Sequence, residues 1–452
     1  MDELSAVCPF EWRYGSEDMR RLFTVESLVG TYVSVERALV KGLAEAGLAP
    51  KHCPEALEEC SKNLKASEVY SREVALGHEI AALTYVLGER CGECGSYVHL
   101  GATSYDVVDT AWALLIREAL RIVRRKLRLV LEELVDLSMK YKDVLMVGRT
   151  HGQHAVPMTA GFKFANYVYE LSRSYERLCG LEGRVVRAKI SGAVGTMAAW
   201  GARGLYVEKV VSSELNLEPH VIATQVAPRD GFGELISALA VLASQLDRFA
   251  LEVRELSRTE IGEVFEAGPR VGSSTMPHKR NPVIAERVSG LAKVMRSLIV
   301  VALENIPLMH ERDLTNSSSE RFLVPHAFLT MDQMLEDFLK LLKVMQVDPQ
   351  AARRNLELTK DVIMSEAVVI RLVMKGMPRH EAHGKLVELI RGMRRGESLK
   401  EAVLRDATLS KMLSSEELDE VLKPENYLGC YRELIERTAK YCRDVLERCQ
   451  DT

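Results

Sequence analysis

The segment with the densest chemistry spans residues 272–282 and reads Gly-Ser-Ser-Thr-Met-Pro-His-Lys-Arg-Asn-Pro. It has no apolar period, so it predicts neither a core helix nor a core strand. Gly272 permits unusual dihedrals and the two prolines restrict their neighbours, which indicates a shaped loop. Its hydroxyls, imidazole, cations and amide suit an anionic substrate and leave one hydroxyl for proton chemistry. Most polar loops are only solvated connections, but this combination of groups favours a functional site.

A second dense segment, residues 146–157, carries His151 and His154 three positions apart. Two histidines on one helical face could bind a metal, but Gly152 and Pro157 disfavour a helix, and no carboxylate of the HExxH kind accompanies them. We therefore predict no metal site here. His151 is either a hydrogen-bonded histidine at a helix start or a group that exchanges a proton near neutral pH.

Two more polar segments suit anion binding. Thr103 and Ser104 precede a predicted helix, whose free backbone amides and dipole favour a carboxylate, although Ser104 could equally be only its N-cap. Arg312 and Arg321 lie in a polar run that is otherwise typical of a solvated loop, and their planar guanidinium groups suit a phosphate. A glycine-containing stretch at 189–196 forms no Walker motif and is weak evidence for phosphate binding.

Long helices must position these groups. Ser104 or Asp106 can cap a helix that runs to about residue 140, with apolar positions near the 3.6 period. Similar periods predict further long helices at about 159–181, 233–260, 283–304 and 322–345. Five such helices predict an elongated bundle in an all-α fold. Leu235–Ala243 is apolar almost all round, so we expect bundles from several subunits to pack together. The predicted domains are an N-terminal helical domain, the central bundle with the 272–282 loop and a C-terminal helical domain: 1–106, 107–354 and 355–452.

Composition excludes several classes of protein. A chain of 452 residues can bury a large core, and a net charge of -4 argues against a nucleic-acid or membrane-surface protein. No apolar run reaches the length of a membrane span, and Met1–Phe10 lacks the features of a signal peptide. We expect a cytoplasmic protein without nucleic-acid or membrane partners. Many charged residues with few amides are a weak thermophile signature.

The chain has nine cysteines. Cys91-Gly-Glu-Cys94 could be half a zinc site or a redox pair, but no second pair at metal-binding spacing and no βαβ context accompany it. Unpaired thiols or structural disulfides are the alternatives, and intracellular hyperthermophile proteins tolerate the latter. Cys442 and Cys449 lie two turns apart on a predicted helix, about 10 Å, too far to bridge each other. We hypothesise that some of the cysteines are cross-linked.

The 272–282 loop resembles the signature loop of the fumarase/aspartase superfamily, whose members eliminate fumarate from succinyl-type substrates. His278, before the lysine, is shared with adenylosuccinate lyases and carboxymuconate cycloisomerases. The His151 segment resembles the superfamily's Thr-His segment, and its histidine, which cycloisomerases usually lack, favours the adenylosuccinate lyase family. The resemblance implies a small helical domain, a five-helix bundle and a helical tail. It also implies a homotetramer with a twenty-helix core and shared active sites.

The same resemblance implies roles for individual residues. Ser273 would be the base, His151 would protonate the leaving nitrogen, and Lys279 would meet the charge of an aci-carboxylate intermediate. No metal and no organic cofactor is required. The substrate-binding residues that it implies are Arg13, Tyr14, His78, His99, Thr103, Ser104, Gln225, Ser274, Asn281, Arg312, Ser317 and Arg321.

The chain departs from the family at Gly77-His-Glu79, where glycine replaces an arginine and glutamate an aspartate. How a substrate phosphate is held is therefore open, with Lys65 and Arg72 nearby in sequence. The activity that the resemblance implies is β-elimination of fumarate from adenylosuccinate to give AMP, and by family habit from succinylaminoimidazole carboxamide ribotide (SAICAR) to give AICAR. The alternatives are another superfamily enzyme, such as carboxymuconate cycloisomerase, or a non-catalytic structural relative.

Overall fold

The computed structural model describes residues 7–268 and 276–449, and the described residues are mostly helical, as the predicted all-α class requires. The helices of the first hundred residues are α1 (Pro9–Trp12), α2 (Glu17–Leu22), α3 (Val25–Glu45), α4 (Cys53–Ser61), α5 (Ala66–Leu76) and α6 (Glu79–Arg90). Ser16 and Thr24 cap α2 and α3, because each side chain accepts a backbone N–H three residues ahead. A 3-10 helix, Gly92–Tyr97, follows α6.

Four of the cysteines come together in this region. The structure pairs Cys53 with Cys94 and Cys60 with Cys91, at Cα–Cα distances of 5.2 and 5.3 Å, so that α4 lies against the 3-10 helix. Cys53 and Cys60 are two turns apart on α4, about 10 Å. The four sulfurs therefore cannot converge on one zinc ion, whose bonds to sulfur are about 2.3 Å long.

The middle of the chain contains α7 (Ser104–Lys140), α8 (Ala160–Val185), α9 (Gly204–Glu214), α10 (Asp230–Leu256), α11 (Val283–Glu304) and α12 (Thr315–Val344). All of these except α9 are long and pack side by side around one hydrophobic core, as the apolar periods predict. Phe249 and Phe338 are among the largest side chains that this core buries completely.

Helix α12 begins at Thr315, one to two turns before the start that the apolar period predicts. Asn316 and Glu320 are one turn apart and buried, and the amide of Asn316 donates to the Glu320 carboxylate at 3.0 Å. The alternative that this polar run is only a solvated loop is therefore wrong for residues 315–321. Residues 315–321 form the first turns of a helix, in which the amide of Asn316 and the carboxylate of Glu320 pair inside the protein.

Short strands complete the central region, and the apolar periods did not predict them. β1 (Leu145–Thr150) and β2 (Gln153–Thr159) form an antiparallel hairpin, β3 (Arg187–Ala188) lies parallel to β4 (Glu218–Pro219), and β5 (Val264–Glu266) is antiparallel to β6 (Met345–Val347). The pairing of β5 with β6 joins the residues before the 272–282 segment to the end of α12.

The last part of the chain holds α13 (Pro349–Glu357), α14 (Ser365–Met374), α15 (Arg379–Arg391), α16 (Leu399–Arg405), α17 (Leu409–Met412), α18 (Ser415–Val421) and α19 (Tyr431–Arg448). Helices α14–α18 enclose a second, smaller hydrophobic core. Helix α19 returns to pack along α8 and adds Cys442 and Val445 to the main core. Among the described residues, no helix has both the length and the apolar character needed to span a bilayer.

Candidate active site

A cavity of about 520 Å³ lies where α6, α7 and α12 begin. Five of the predicted substrate-binding residues, from three distant segments, border this cavity: His78, Ser104, Arg312, Ser317 and Arg321. Gln225 adjoins them, because its side-chain oxygen accepts a hydrogen bond from Arg312 at 3.2 Å. The tertiary structure therefore gathers polar groups that are up to 243 positions apart.

The start of α7 is held by a carboxylate that the sequence interpretation had not assigned to the site. The N-cap is Thr103 rather than Ser104 or Asp106, and its N–H donates to Asp106 at 2.8 Å. Asp106 is fully buried and also accepts from the backbone N–H of Ser191 at 2.8 Å and from the ammonium of Lys189 at 2.7 Å. One carboxylate thus ties the glycine-containing 189–196 stretch to the helix start. Its spacing, three residues after a threonine, is that of a capping box and could have been found in the sequence.

The ring of His78 has a defined tautomer in this arrangement. Its Nδ1 accepts the N–H of Ala81 at 3.2 Å and so caps α6, which leaves the proton of a neutral ring on Nε2. Nε2 lies 3.3 Å from the hydroxyl oxygen of Ser104 and donates to it. The hydroxyl proton of Ser104 is then available to a ligand in the cavity.

Two arginines supply positive charge to the cavity. Arg312 is largely buried, and within the described part of the chain its Nε and Nη2 have no hydrogen-bond partner. Buried N–H groups are rarely left unpaired, so this guanidinium suits an anionic ligand. Arg321 is mostly exposed and donates to the Glu79 carboxylate at 3.0 Å, which also accepts the hydroxyl of Tyr70 at 2.8 Å.

The structure shows what an arginine at position 77 would require in this chain. Gly77 ends α5 with a left-handed backbone at φ 64°, and a Cβ built there would meet no atom within 4 Å. Space is therefore not the restriction. An arginine would have to adopt a backbone conformation that costs an L-residue about 1–2 kcal/mol. Within the described residues, Arg312 and Arg321 are the arginines that border the cavity.

His99 is fixed by a second buried carboxylate. Glu36 of α3 is fully buried and accepts the backbone N–H of His99 at 3.0 Å and its Nδ1 at 2.6 Å. Although burial opposes a charge on the ring, the Glu36 carboxylate raises the pKa of His99 above its ordinary value. The ring is thus held as a cation over a wider pH range. The sequence carries no signal for Glu36, which lies 63 positions away.

The proton donor and the lysine of the proposed chemistry lie elsewhere in the chain. His151 is exposed in the turn of the β1–β2 hairpin, with a left-handed backbone at φ 55°. Arg149 anchors that hairpin to the buried Glu263 with contacts of 2.8 and 2.6 Å. Lys279 precedes α11, whose first amides donate to Glu266 at 3.0 and 2.9 Å. Both groups therefore sit where α10 ends and α11 begins.

This second group is far from the cavity within one chain. The cavity borders the first turns of α7, whereas His151 follows its far end, and 37 residues of helix span about 55 Å at 1.5 Å each. Neither His151, Lys279 nor Asn281 borders the cavity. Arg13 and Tyr14 also lie outside it, in a segment whose next residue donates to Gln333 in the middle of α12. Ser273 and Ser274 lie outside the described residues.

Comparison with known proteins gives the class of the molecule. A family model described as lyase matches residues 13–296. The chain also resembles the crystal structure of the 3-carboxy-cis,cis-muconate lactonizing enzyme from Pseudomonas putida, with a TM-score of 0.86 and 31% identity over 96% of this chain and 98% of that one. A fumarate lyase from a Mesorhizobium species gives 0.87 and 29% over 94% and 98%. The fold and these matches define a lyase of the fumarase/aspartase superfamily.

The C-terminal residues and the identity over the whole chain narrow the relationship to one family within this superfamily. Residues 361–438 match a model described as adenylosuccinate lyase C-terminus. The chain is 45% identical to an adenylosuccinate lyase of Pyrococcus abyssi over 98% of this chain and 99% of that protein. It is 43% identical to one from Methanothermobacter thermautotrophicus over 96% and 98%. The chain belongs to the adenylosuccinate lyase family.

Proposed function

We propose that the protein is a carbon–nitrogen lyase that cleaves adenylosuccinate to AMP and fumarate, and SAICAR to AICAR and fumarate, in purine biosynthesis. The observation that carries the proposal is the cavity at the start of α7. There Arg312, beside Ser104 and His78, presents buried N–H groups that have no acceptor among the described residues. A nucleotide phosphate would satisfy those groups, and the start of α7 would hold a carboxylate of the succinyl part.

The proposed chemistry removes a proton from the carbon next to a carboxylate and then breaks the C–N bond. Ser273 takes the proton after activation as an alkoxide, and Lys279 with Asn281 meets the negative charge that develops on the carboxylate. His151 returns a proton to the leaving nitrogen. The remaining contacts with substrate are assigned to the cavity residues named above, with Arg13, Tyr14, His99, Thr103, Gln225 and Ser274.

The test is the ultraviolet absorbance change of purified protein mixed with adenylosuccinate, with AMP and fumarate assayed as products. Stoichiometric AMP and fumarate without added metal are the expected result, at moderate or elevated temperature. No turnover of either purine substrate would contradict the proposal. Turnover of a carboxymuconate instead would favour the cycloisomerase alternative.

We also propose that the protein is a homotetramer whose active sites combine residues of different subunits. The position of His151 beyond the far end of α7 supports this, because His151 does not border the cavity of its own chain. Large apolar side chains of the bundle are also exposed in the single chain: Val241, Leu251, Val294, Val300 and Leu303. Bundles that pack against one another would bury these side chains.

Mixed tetramers test the sharing of sites. His151→Ala and Arg312→Ala variants, each inactive alone, are unfolded, mixed and refolded together. If sites are shared between subunits, some hybrid sites contain neither substitution, and activity rises well above that of either variant refolded alone. Light scattering of the wild-type protein should give four chains. A monomer with full activity would contradict both parts of the proposal.

Further assignments follow from the helix pattern, the composition and the cysteines. The division into domains 1–106, 107–354 and 355–452 is proposed from the helix pattern. A cytoplasmic location and a thermophilic source are proposed from composition alone. We further propose that Cys53, Cys60, Cys91 and Cys94 form two disulfides in the protein. Their pairing at disulfide-compatible Cα distances supports this.

A further inference from the structure

Tyr105, the second residue of α7, forms part of the cavity wall beneath Arg312. The guanidinium carbon of Arg312 lies 3.8 Å from the centre of the Tyr105 ring, a close cation–π contact. Tyr105 and Ser317 both border the cavity. Tyr105 therefore contacts Arg312, to which nucleotide binding was assigned, although the sequence analysis had given Tyr105 no role.

The ring is itself held from a second side by a buried arginine. The guanidinium carbon of Arg229 lies 5.5 Å from the ring centre, and Arg229 is only 3% exposed. Its position is set by Asp109 at 2.7 Å and by Glu320 at 2.8 Å, carboxylates of α7 and α12. Tyr105 is thus part of a buried network that joins the starts of these two helices, so its ring has little freedom to turn.

Arg312 has few other restraints on its guanidinium. Its Nη1 donates to Gln225 at 3.2 Å, while Nε and Nη2 have no acceptor among the residues the structure describes. A long arginine side chain without such restraints loses rotamer freedom when it binds a ligand, and that loss weakens binding. A fixed aromatic surface removes part of this cost before the ligand arrives.

We propose that Tyr105 is a positioning residue for ligand binding, which holds the plane of the Arg312 guanidinium at the cavity wall so that it can bind an anionic group of the substrate bidentately. The inference rests on the proposed function and adds to it a determinant of affinity. Tyr105 acts through Arg312 and takes no part in proton transfer. Its loss should therefore raise KM while kcat changes little.

The experiment compares Tyr105→Met and Tyr105→Phe by steady-state kinetics on the assembled enzyme with adenylosuccinate. Methionine fills similar volume without a ring, and we expect KM to rise about tenfold, equivalent to about 1.4 kcal/mol. Phenylalanine keeps the ring and should restore KM to within about threefold of wild type. The matched control is Tyr167 of α8, away from the cavity. It is also buried, and the guanidinium carbon of Arg248 lies 4.8 Å from the centre of its ring. Tyr167→Met should lower thermal stability without raising KM.

A double-mutant cycle with Arg312→Lys tests whether Tyr105 acts through Arg312. Lysine has no planar group to stack, so Tyr105→Met should raise KM less than threefold in that background, against about tenfold in the wild type. Equal effects in both backgrounds, a wild-type KM for Tyr105→Met, or a KM for Tyr105→Phe as high as that of Tyr105→Met would overturn the inference. If the methionine variant does not assemble, Tyr105→Leu takes its place.

Failure of the proposed function can be distinguished from failure of the inference about Tyr105. A wild-type protein that does not cleave adenylosuccinate contradicts the function, whatever Tyr105 does. Calorimetric titration then still measures the affinity of the Tyr105 variants for AMP, because binding of a nucleotide to the cavity does not require turnover. An AMP affinity that falls about tenfold in Tyr105→Met and recovers in Tyr105→Phe supports the inference, and an unchanged affinity overturns it.

Discussion

Replacing Asp106 by asparagine should destabilise the protein far more than the loss of one hydrogen bond would. The fully buried carboxylate accepts the N–H groups of Thr103, Ser191 and Gly192 and pairs with the ammonium of Lys189 at 2.7 Å. An asparagine side chain has one oxygen and one NH₂ group, so it would turn donors toward at least one of these N–H groups. It would also leave the charge of Lys189, which is 1% exposed, without its carboxylate.

The magnitude follows from this geometry. Removing one partner of a buried ion pair costs about 3–5 kcal/mol, because the other charge stays buried. At roughly 2–4 °C per kcal/mol for a domain of this size class, the thermal midpoint should fall by roughly 6–20 °C. Lys189→Met is expected to cost less, about 1–3 kcal/mol, since three backbone N–H groups still surround the carboxylate. The order of the two variants is thus part of the prediction.

The assay is thermal unfolding by calorimetry, with all variants at one protein concentration and one scan rate, because oligomers melt in a concentration-dependent way. The matched control is Asp18→Asn. Asp18 pairs with Arg125 at 3.1 Å, but both side chains are more than 60% exposed, so the loss should stay below about 1 kcal/mol. If Asp106→Asn melts within about 2 °C of wild type, or if Lys189→Met is the more damaging change, the reasoning about this carboxylate is refuted.

Three further predictions follow from the site and its surroundings. Ser273→Ala and His151→Ala should each assemble and unfold like wild type and lose most of the turnover, measured as AMP release; near-wild-type rates in either would refute the role of that residue. Glu36→Gln should lower thermal stability more at about pH 6 than at about pH 9: the raised pKa of His99 means that the pair stabilises the fold below the ordinary histidine pKa and that this contribution is lost as pH rises through the raised value. An equal loss at both pH values would argue against a charged His99. Under denaturing, non-reducing conditions five of the nine cysteines should react with a thiol reagent, nine minus the four that the structure pairs. Reduction should cost about 3–4 kcal/mol per bond for loops of 41 and 31 residues, and nine reactive thiols would rule the bonds out.

Much of the fold was predictable because long helices carry a strong local signal. The apolar period located the five helices of the bundle to within a few residues at most of their ends. It failed at the start of α12, where Asn316 and Glu320 look solvated in sequence but satisfy each other inside the protein. It also missed the β1–β2 hairpin, which is short and lies between two long helices. Both features are local, but neither has an apolar helical period: one is a polar i,i+4 pair and the other a short pairing of adjacent strands.

The candidate site also contains residues that local motifs identify and residues that only long-range contacts identify. His78, Ser104, Arg312 and Arg321 could be named from sequence because their types and spacing match a family motif, and those motifs are local. The residues that hold them in place could not be named so easily. Glu36 lies 63 positions from the histidine that it fixes, and nothing in its own neighbourhood in the sequence marks it.

The amino-acid sequence alone therefore determined the all-α class and the long helices, and it named the groups that are proposed to carry out an elimination. Periodicity and motif chemistry are properties of neighbouring residues, so they can be read without coordinates. Only the tertiary structure decided which groups meet. It placed Tyr105 beneath Arg312, bound Asp106 to Lys189, and left His151 beyond the far end of α7, away from the cavity. These relations depend on how rigid helices pack across the bundle, and packing brings together residues whose distance along the chain carries no information about their contact.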